Sequence, residues 1–157
     1  MDARIQFSRS KVYLYPSNIL LALMLSRVIL VVNHEKLNVG YMQGSVNNIT
    51  VDKCTKLGLV FKDVVAACEI VNCSGVEVQC QGSAPTISVD NTAGCQLYLS
   101  KDALEASITT AKSSEINVLV PGSEPDGDWV EEALPQQYIH VYKDGQFVTT
   151  PVSHSGA

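Results

Sequence analysis

The chain has 157 residues, 46% of them apolar, which suits one domain with its own core and leaves no room for a second. Its formal net charge of -5 and the low charged fraction of 17% leave no basic face for a phosphate backbone, so nucleic acid is not an expected partner. Twenty valines against one Trp and three Phe favour a strand-rich chain built on small branched side chains.

The first element in chain order is the apolar run Ile19–Val32, ILLALMLSRVILVV, interrupted at Arg27. A membrane-spanning helix needs about 20 apolar residues, and a central arginine opposes insertion. Arg4, Arg9 and Lys11 precede the run as in a signal peptide, but no small-x-small cleavage site follows. Secretion or membrane anchoring is therefore not expected. The sequence predicts instead a short apolar helix or strand over Ile19–Leu25 and a buried strand over Val28–Val32. Residues 1–29 are expected to close one end of the domain.

A repeat then governs the chain. Windows starting at Ile49, Cys68, Ile87 and Ala106 align at nineteen-residue spacing. The first column reads Ile49, Cys68, Ile87, Ala106 and the third Val51, Ile70, Val89, Ile108. The eleventh is Leu59, Val78, Leu97, Ile116 and the thirteenth Phe61, Cys80, Leu99, Val118. All sixteen positions are apolar, which a 46% composition gives by chance about once in several hundred thousand trials. The second column (Thr50, Glu69, Ser88, Ser107) and the tenth (Gly58, Glu77, Gln96, Glu115) supply the intervening outward positions.

Each window thus predicts two short strands, turning near Gly75 and Gly94 or their equivalents Lys56 and Ser113. Nineteen residues are too few for paired helices, and no leucine-rich or hexapeptide consensus is present, which leaves an all-β parallel β-helix with stacked side-chain ladders. A fifth, degenerate window is expected from Leu30, with Val32 and Met42 in apolar columns and Gly40 in another. The coils are assigned to 30–120, an acidic Pro/Gly connector to 121–136, and a hairpin and tail to 137–157. In the hairpin, Tyr138–Tyr142 and Gln146–Thr149 flank Asp144-Gly145, a preferred two-residue turn.

Residues that suggest chemistry do not assemble into a catalytic pattern. Cys54 and Cys73 share a column, but Thr92 follows them, no Cys-x-x-Cys pair exists, and His34, His140 and His154 are scattered, so no metal or cofactor is expected. A buried ladder of reduced thiols is the simpler reading. Asp126 and Asp128 read as turn residues rather than an acid pair. All three arginines, Arg4, Arg9 and Arg27, precede the coils, so these have no arginine finger of their own. Lys53, Lys56, Lys62, Lys101 and Lys112 fall at turns, as a solvated face or a protein-binding patch on a rigid wall.

From about Gly44 onward the chain resembles the C-terminal domain of the cyclase-associated proteins in its plant form. The resemblance is carried by Val46–Cys54, Asp63–Cys68, Val76–Gly82, Pro85–Asp90, Lys112–Asn117, Pro125–Trp129 and Pro151–Ala157. It implies a right-handed parallel β-helix that dimerises by exchanging its C-terminal hairpin. It also implies a non-enzymatic protein of the cytoplasm and actin cytoskeleton that binds actin monomers, free or cofilin-bound, and promotes replacement of ADP by ATP on them.

The actin-binding residues expected on that basis are Lys112, Ser113, Ser114, Glu115, Asn117, Glu69, Glu77, Gln79 and the tail Val152, Ser153, His154, Ser155, Gly156 and Ala157. Tyr138, Ile139, Val141, Tyr142, Phe147 and Val148 are the expected dimerisation residues. Before Gly44 the resemblance fades, and the chain reads as a family member truncated or altered there. The alternative function is a structural or regulatory remnant that dimerises without actin activity. The tubulin-folding cofactor C type shares the broad fold, but its GTPase activation relies on an arginine that these coils lack.

Overall fold

The computed structural model describes residues 4–7, 10–13, 28–31, 38–124 and 127–152. Strands dominate, and the only helical element among these residues is a 3-10 turn at Lys101–Ala103. The expected segment Ile19–Leu25 lies outside them, and no helix of the described residues is long and apolar enough to cross a membrane.

Two long strands, β4 (Asn38–Asp52) and β5 (Leu57–Val71), each bend once and so contribute to two walls. On the first wall, the N-terminal half of β5 pairs in parallel with β6 (Ser74–Cys80). Then β6 pairs with β8 (Ala93–Leu99), and β8 with β10 (Ser114–Pro121). On the second wall, the C-terminal half of β5 pairs with β7 (Thr86–Asp90), which pairs with β9 (Ser107–Ala111). Stacked parallel coils of this kind define a parallel β-helix. Its axis is filled because alternate side chains on both walls point inward. Ile49, Cys68 and Ile87 stack on the second wall, and Leu59, Val78 and Leu97 on the first, all essentially inaccessible to solvent. Phe61 is the largest fully buried side chain among the described residues.

The last coil departs from the nineteen-residue register. Ile108 faces Ile87, not Val89, and Val118 faces Leu97, not Leu99, so the columns expected for Ile108, Ile116 and Val118 are each displaced by two. The extra residues accompany the 3-10 turn, whose start is capped by Ser100 Oγ accepting from Asp102 N at 3.2 Å and whose Ala103 reaches the core. The turn expected at Ser113 accordingly falls at Glu115.

The degenerate window is also corrected. Gly40 and Met42 do face Leu59 and Phe61 in parallel. Leu30, however, belongs to β3 (Val28–Val31), which runs antiparallel to β4 and pairs Leu30 with Gly40 rather than stacking on Ile49. On the other half of β4, β1 (Arg4–Phe7) pairs antiparallel and itself carries β2 (Ser10–Tyr13). The exposed edge of β4 is thereby paired along both halves.

At the opposite end, β11 (Trp129–Ala133) returns antiparallel to β10. The acidic Pro/Gly connector thus includes an edge-covering strand. Leu134 N donates to Ile116 O at 2.8 Å, anchoring the chain just before the hairpin. β12 (Tyr138–Lys143) and β13 (Gln146–Pro151) form a separate two-stranded sheet. Asp144 and Gly145 both take positive φ, 51° and 85°, as a two-residue hairpin turn of the primed type requires.

Candidate protein-binding surface

The two walls meet at a tight corner, where each coil uses two left-handed backbone positions separated by two residues. The first series is Lys53, Asn72, Asn91 and Lys112, the second Lys56, Gly75, Gly94 and Glu115, all with positive φ. Between them lies an inward column of small side chains, Cys54, Cys73, Thr92 and Ser113, which satisfy backbone carbonyls. Thr92 Oγ1 donates to Asp90 O at 3.0 Å, and Ser113 Oγ lies 2.8 Å from Ala111 O. Thr92 N in turn donates to Ser113 Oγ at 3.2 Å. Outside, a polar ladder runs up the corner: Asn72 Nδ2 donates to Asp52 Oδ1 at 3.0 Å and Asn91 Nδ2 to Asn72 Oδ1 at 2.7 Å. Repeated backbone geometry thus fixes Lys53, Lys56 and Lys112 on one exposed edge. Lys62 and Lys101 occupy the other, wider corner.

The first wall starts at this corner. Its outward columns are Gly58, Glu77, Gln96, Asn117 and Val60, Gln79, Tyr98, Leu119. Asn117 Nδ2 donates to Glu131 Oε1 at 2.6 Å, tying β10 to β11, and Tyr98 Oη donates to Gln96 Oε1 at 3.0 Å. The rings of Tyr98 and Trp129 meet edge to face with centroids 5.5 Å apart. Burial, with smaller contributions from the Glu77 and Glu131 carboxylates, raises the Tyr98 phenol above its ordinary range.

The structure brings Glu77, Gln79, Ser114, Glu115 and Asn117 onto one continuous surface. Lys112 and Ser113 sit at its corner edge. Glu69 lies across the corner on the second wall, where it accepts from Thr50 Oγ1 at 3.1 Å. Val152 N donates to Gln137 O at 2.9 Å at the hairpin base, while Ser153, His154, Ser155, Gly156 and Ala157 lie outside the described residues. So do His34 and Asp126. Gln96, Tyr98, Trp129 and Glu131 were not among the expected binding residues. Gln96 and Tyr98 follow Glu77 and Gln79 in the repeat columns and were accessible from them; Trp129 and Glu131 arrive on a strand outside the repeat.

Five cysteines are free and buried, and among the described residues no three His, Cys, Asp or Glu side chains converge as metal ligands. The six hairpin side chains Tyr138, Ile139, Val141, Tyr142, Phe147 and Val148 are all exposed, up to 70% for Phe147. Tyr142 and Phe147 pair on one face with ring centroids 5.3 Å apart, and Val141 opposes Val148 on the other.

These features define a parallel β-helix whose polar wall ends in an aromatic pair and whose chain ends in an exposed hairpin arm. The family model for adenylate cyclase associated (CAP) C terminal matches residues 10–154, and the chain belongs to that family. The match begins well before Gly44, where the sequence resemblance fades. Cyclase-associated protein 1 of Arabidopsis thaliana is 78% identical over 116 residues, covering 74% of this chain and 24% of that protein. The adenylyl cyclase-associated protein of Dictyostelium discoideum is 49% identical over 113 residues, covering 72% of this chain and 24% of that protein. The chain therefore spans about a quarter of the length of these curated relatives. The crystal structure of cyclase-associated protein from Cryptosporidium parvum superposes with a TM-score of 0.55 at 24% identity, covering 80% of this chain and 99% of that one, which shows the shared fold.

Proposed function

We propose that this chain binds actin monomers, free or cofilin-bound, promotes replacement of ADP by ATP on them and so supports filament turnover in the cytoplasm. It does so without covalent chemistry. An exchange catalyst of this type needs only to bind the open-cleft state of actin more tightly than the closed one, and about 1.4 kcal/mol of that difference shifts the ratio tenfold. The observation that carries the reading is the placement of Lys112–Asn117. This segment carries part of the family resemblance and forms the edge of the same rigid wall that displays Glu77 and Gln79. A stacked solenoid wall changes shape little on binding, so its polar groups are presented pre-organised.

A dimer joined by exchanged hairpins would place two such walls in one particle. Two features support it: the hairpin is exposed on both faces, and β9 is paired along β7 alone among the described residues. The alternative, a remnant that dimerises without actin activity, draws on the antiparallel strands β1 and β3, which stand where a further parallel coil would continue the stack.

Capture of ADP-actin by the whole chain, by a chain ending at Thr150 and by a Glu77→Lys/Gln79→Lys variant tests the proposal. The whole chain should retain ADP-actin and the wall variant should lose at least tenfold in affinity. Equal capture by the shortened chain would remove the tail from the surface, and no capture by the whole chain would leave the remnant reading.

A further inference from the structure

We propose that Cys54 and Cys73 form a redox modification site, at which a hydroperoxide converts two stacked thiols into a disulfide that staples adjacent coils. The proposal is independent of the actin reading. It rests first on the ladders. Cys68 is flanked in its column by Ile49 and Ile87, Cys80 by Phe61 and Leu99, and Cys95 by Val76 and Ile116. Only the tight-corner column places one cysteine directly above another.

The geometry there suits a bond. Ser74 N donates to Cys54 O at 3.0 Å and Lys53 N to Val71 O at 3.1 Å, so the two turns are held in register one coil apart. Adjacent parallel strands lie about 4.8 Å apart, within the roughly 4.4–6.8 Å Cα separation that disulfides adopt. Cys73 Sγ lies 3.2 Å from Val71 O in its own coil and 3.5 Å from Val51 O in the preceding one, so it sits between the coils. Cys54 Sγ lies 3.5 Å from Asp52 O, on the same inward column one coil below Cys73. Interaction between the two neighbouring thiols pushes Cys54 above the ordinary range and Cys73 below it, which favours Cys73 as the attacking sulfur. Both retain 4% exposure, more than Cys68, Cys80 or Cys95.

The chemistry balances with one hydroperoxide. The Cys73 thiolate attacks the peroxide O–O bond, forming a sulfenic acid and releasing, after protonation, water or an alcohol. The Cys54 sulfur then displaces the sulfenic hydroxyl, with its proton leaving in a second molecule, water. Two thiols are oxidised and one peroxide is reduced. A dithiol reductant reverses the change by exchange.

The bond would close a loop of about twenty residues between the coils. On the chain-entropy account this raises the melting midpoint by on the order of 10 °C for a domain of this size. The neighbouring Thr92 and Ser113 show that the slot accepts small hydroxyl side chains, so Cys54→Ser and Cys73→Thr should fold.

The test is titration of the whole reduced chain with hydrogen peroxide, followed by thiol alkylation and non-reducing mass analysis. Digestion after Lys and Glu isolates Cys54 in Cys54–Lys56 and Cys73 in Ile70–Glu77. The expected result is one linked peptide pair, a loss of two hydrogens, a raised melting midpoint and full reversal by dithiothreitol. Cys54→Ser and Cys73→Thr should each abolish the link, while Cys95→Ser retains it. A link joining any other cysteines, sulfinic acid without a link, or alkylation of all five thiols after peroxide would overturn the proposal.

Discussion

Removal of the hairpin arm should dissolve the proposed hairpin-exchanged dimer while leaving the solenoid folded. Tyr142 and Phe147 are 66% and 70% exposed, and Ile139 and Val141 a little over half. With aromatic side chains offering about 150–250 Å² each, the six apolar hairpin residues expose roughly 500 Å² per arm. Two arms and the surfaces that receive them give roughly 2,000 Å², the upper end of a standard interface of about 1,200–2,000 Å². Each fully buried aromatic contributes roughly 1.5–3 kcal/mol, and two-fold symmetry doubles every loss. Tyr142→Asp/Phe147→Asp should therefore weaken association by about 6 kcal/mol or more, at least four orders of magnitude in Kd.

Sedimentation velocity on the whole chain, on the double variant and on a chain lacking 136–157 reads this directly. The whole chain should sediment as a dimer and the double variant as a monomer. Because the hairpin side chains are exposed within their own chain, the solenoid should still unfold cooperatively, with its midpoint lowered only by the lost association. A truncated chain that sediments as a clean dimer would refute hairpin exchange and place the contact on the solenoid wall.

Two glycines should respond differently to the same substitution. At Gly82 an added methyl would run into the Asp63 carboxylate and come within 2.5 Å of Lys62 O, displacing the carboxylate that accepts from Ser83 N at 2.9 Å. Gly82→Ala should cost about 3 kcal/mol or more in urea unfolding, whereas Gly75→Ala, with positive φ but nothing within 4 Å, should cost about 1 kcal/mol. Stability should also fall at alkaline pH. Burial pushes Cys80 up to about 11 and Cys95 up to about 12 from an ordinary 9.0. Unfolded thiols lose their protons first, so stabilisation present below pH 9 is lost as pH rises toward 11–12, by up to about 1.4 kcal/mol per pH unit for each thiol. Urea midpoints measured from pH 7 to 11 should be flat and then decline, less steeply in Cys95→Val; an unchanged midpoint at pH 11 would contradict that assignment of burial.

The repeat columns were legible through three coils because inward alternation and constant spacing are both written in side-chain type. The fourth slipped by two residues for a physical reason. A period-two pattern moved by two presents the same face, and Ala106/Ile108 and Ile116/Val118 are apolar in either register. The insertion itself lies in the wide corner, where a single small buried residue, Ala103, is too weak a marker to record it.

Strand direction was equally silent: Val28–Val31 reads as a strand, but alternation does not distinguish a parallel coil from an antiparallel cover. β11 was hidden because all five of its residues are exposed, so its sequence lacks the one-sided apolar pattern of a core strand. The Asp144-Gly145 turn was legible because that dipeptide supplies the two positive φ values a tight hairpin needs. Of the wall, Glu77 and Gln79 followed from the columns, whereas the Tyr98–Trp129 contact required the antiparallel return of β11.

The most direct measurement is the rate at which monomeric ADP-actin takes up a fluorescent ATP analogue, with and without the chain. The whole chain should accelerate exchange at least tenfold at catalytic ratios to actin, an effect strongly reduced in Glu77→Lys/Gln79→Lys with the fold intact. An unchanged exchange rate at concentrations that saturate actin binding would contradict the proposed exchange activity.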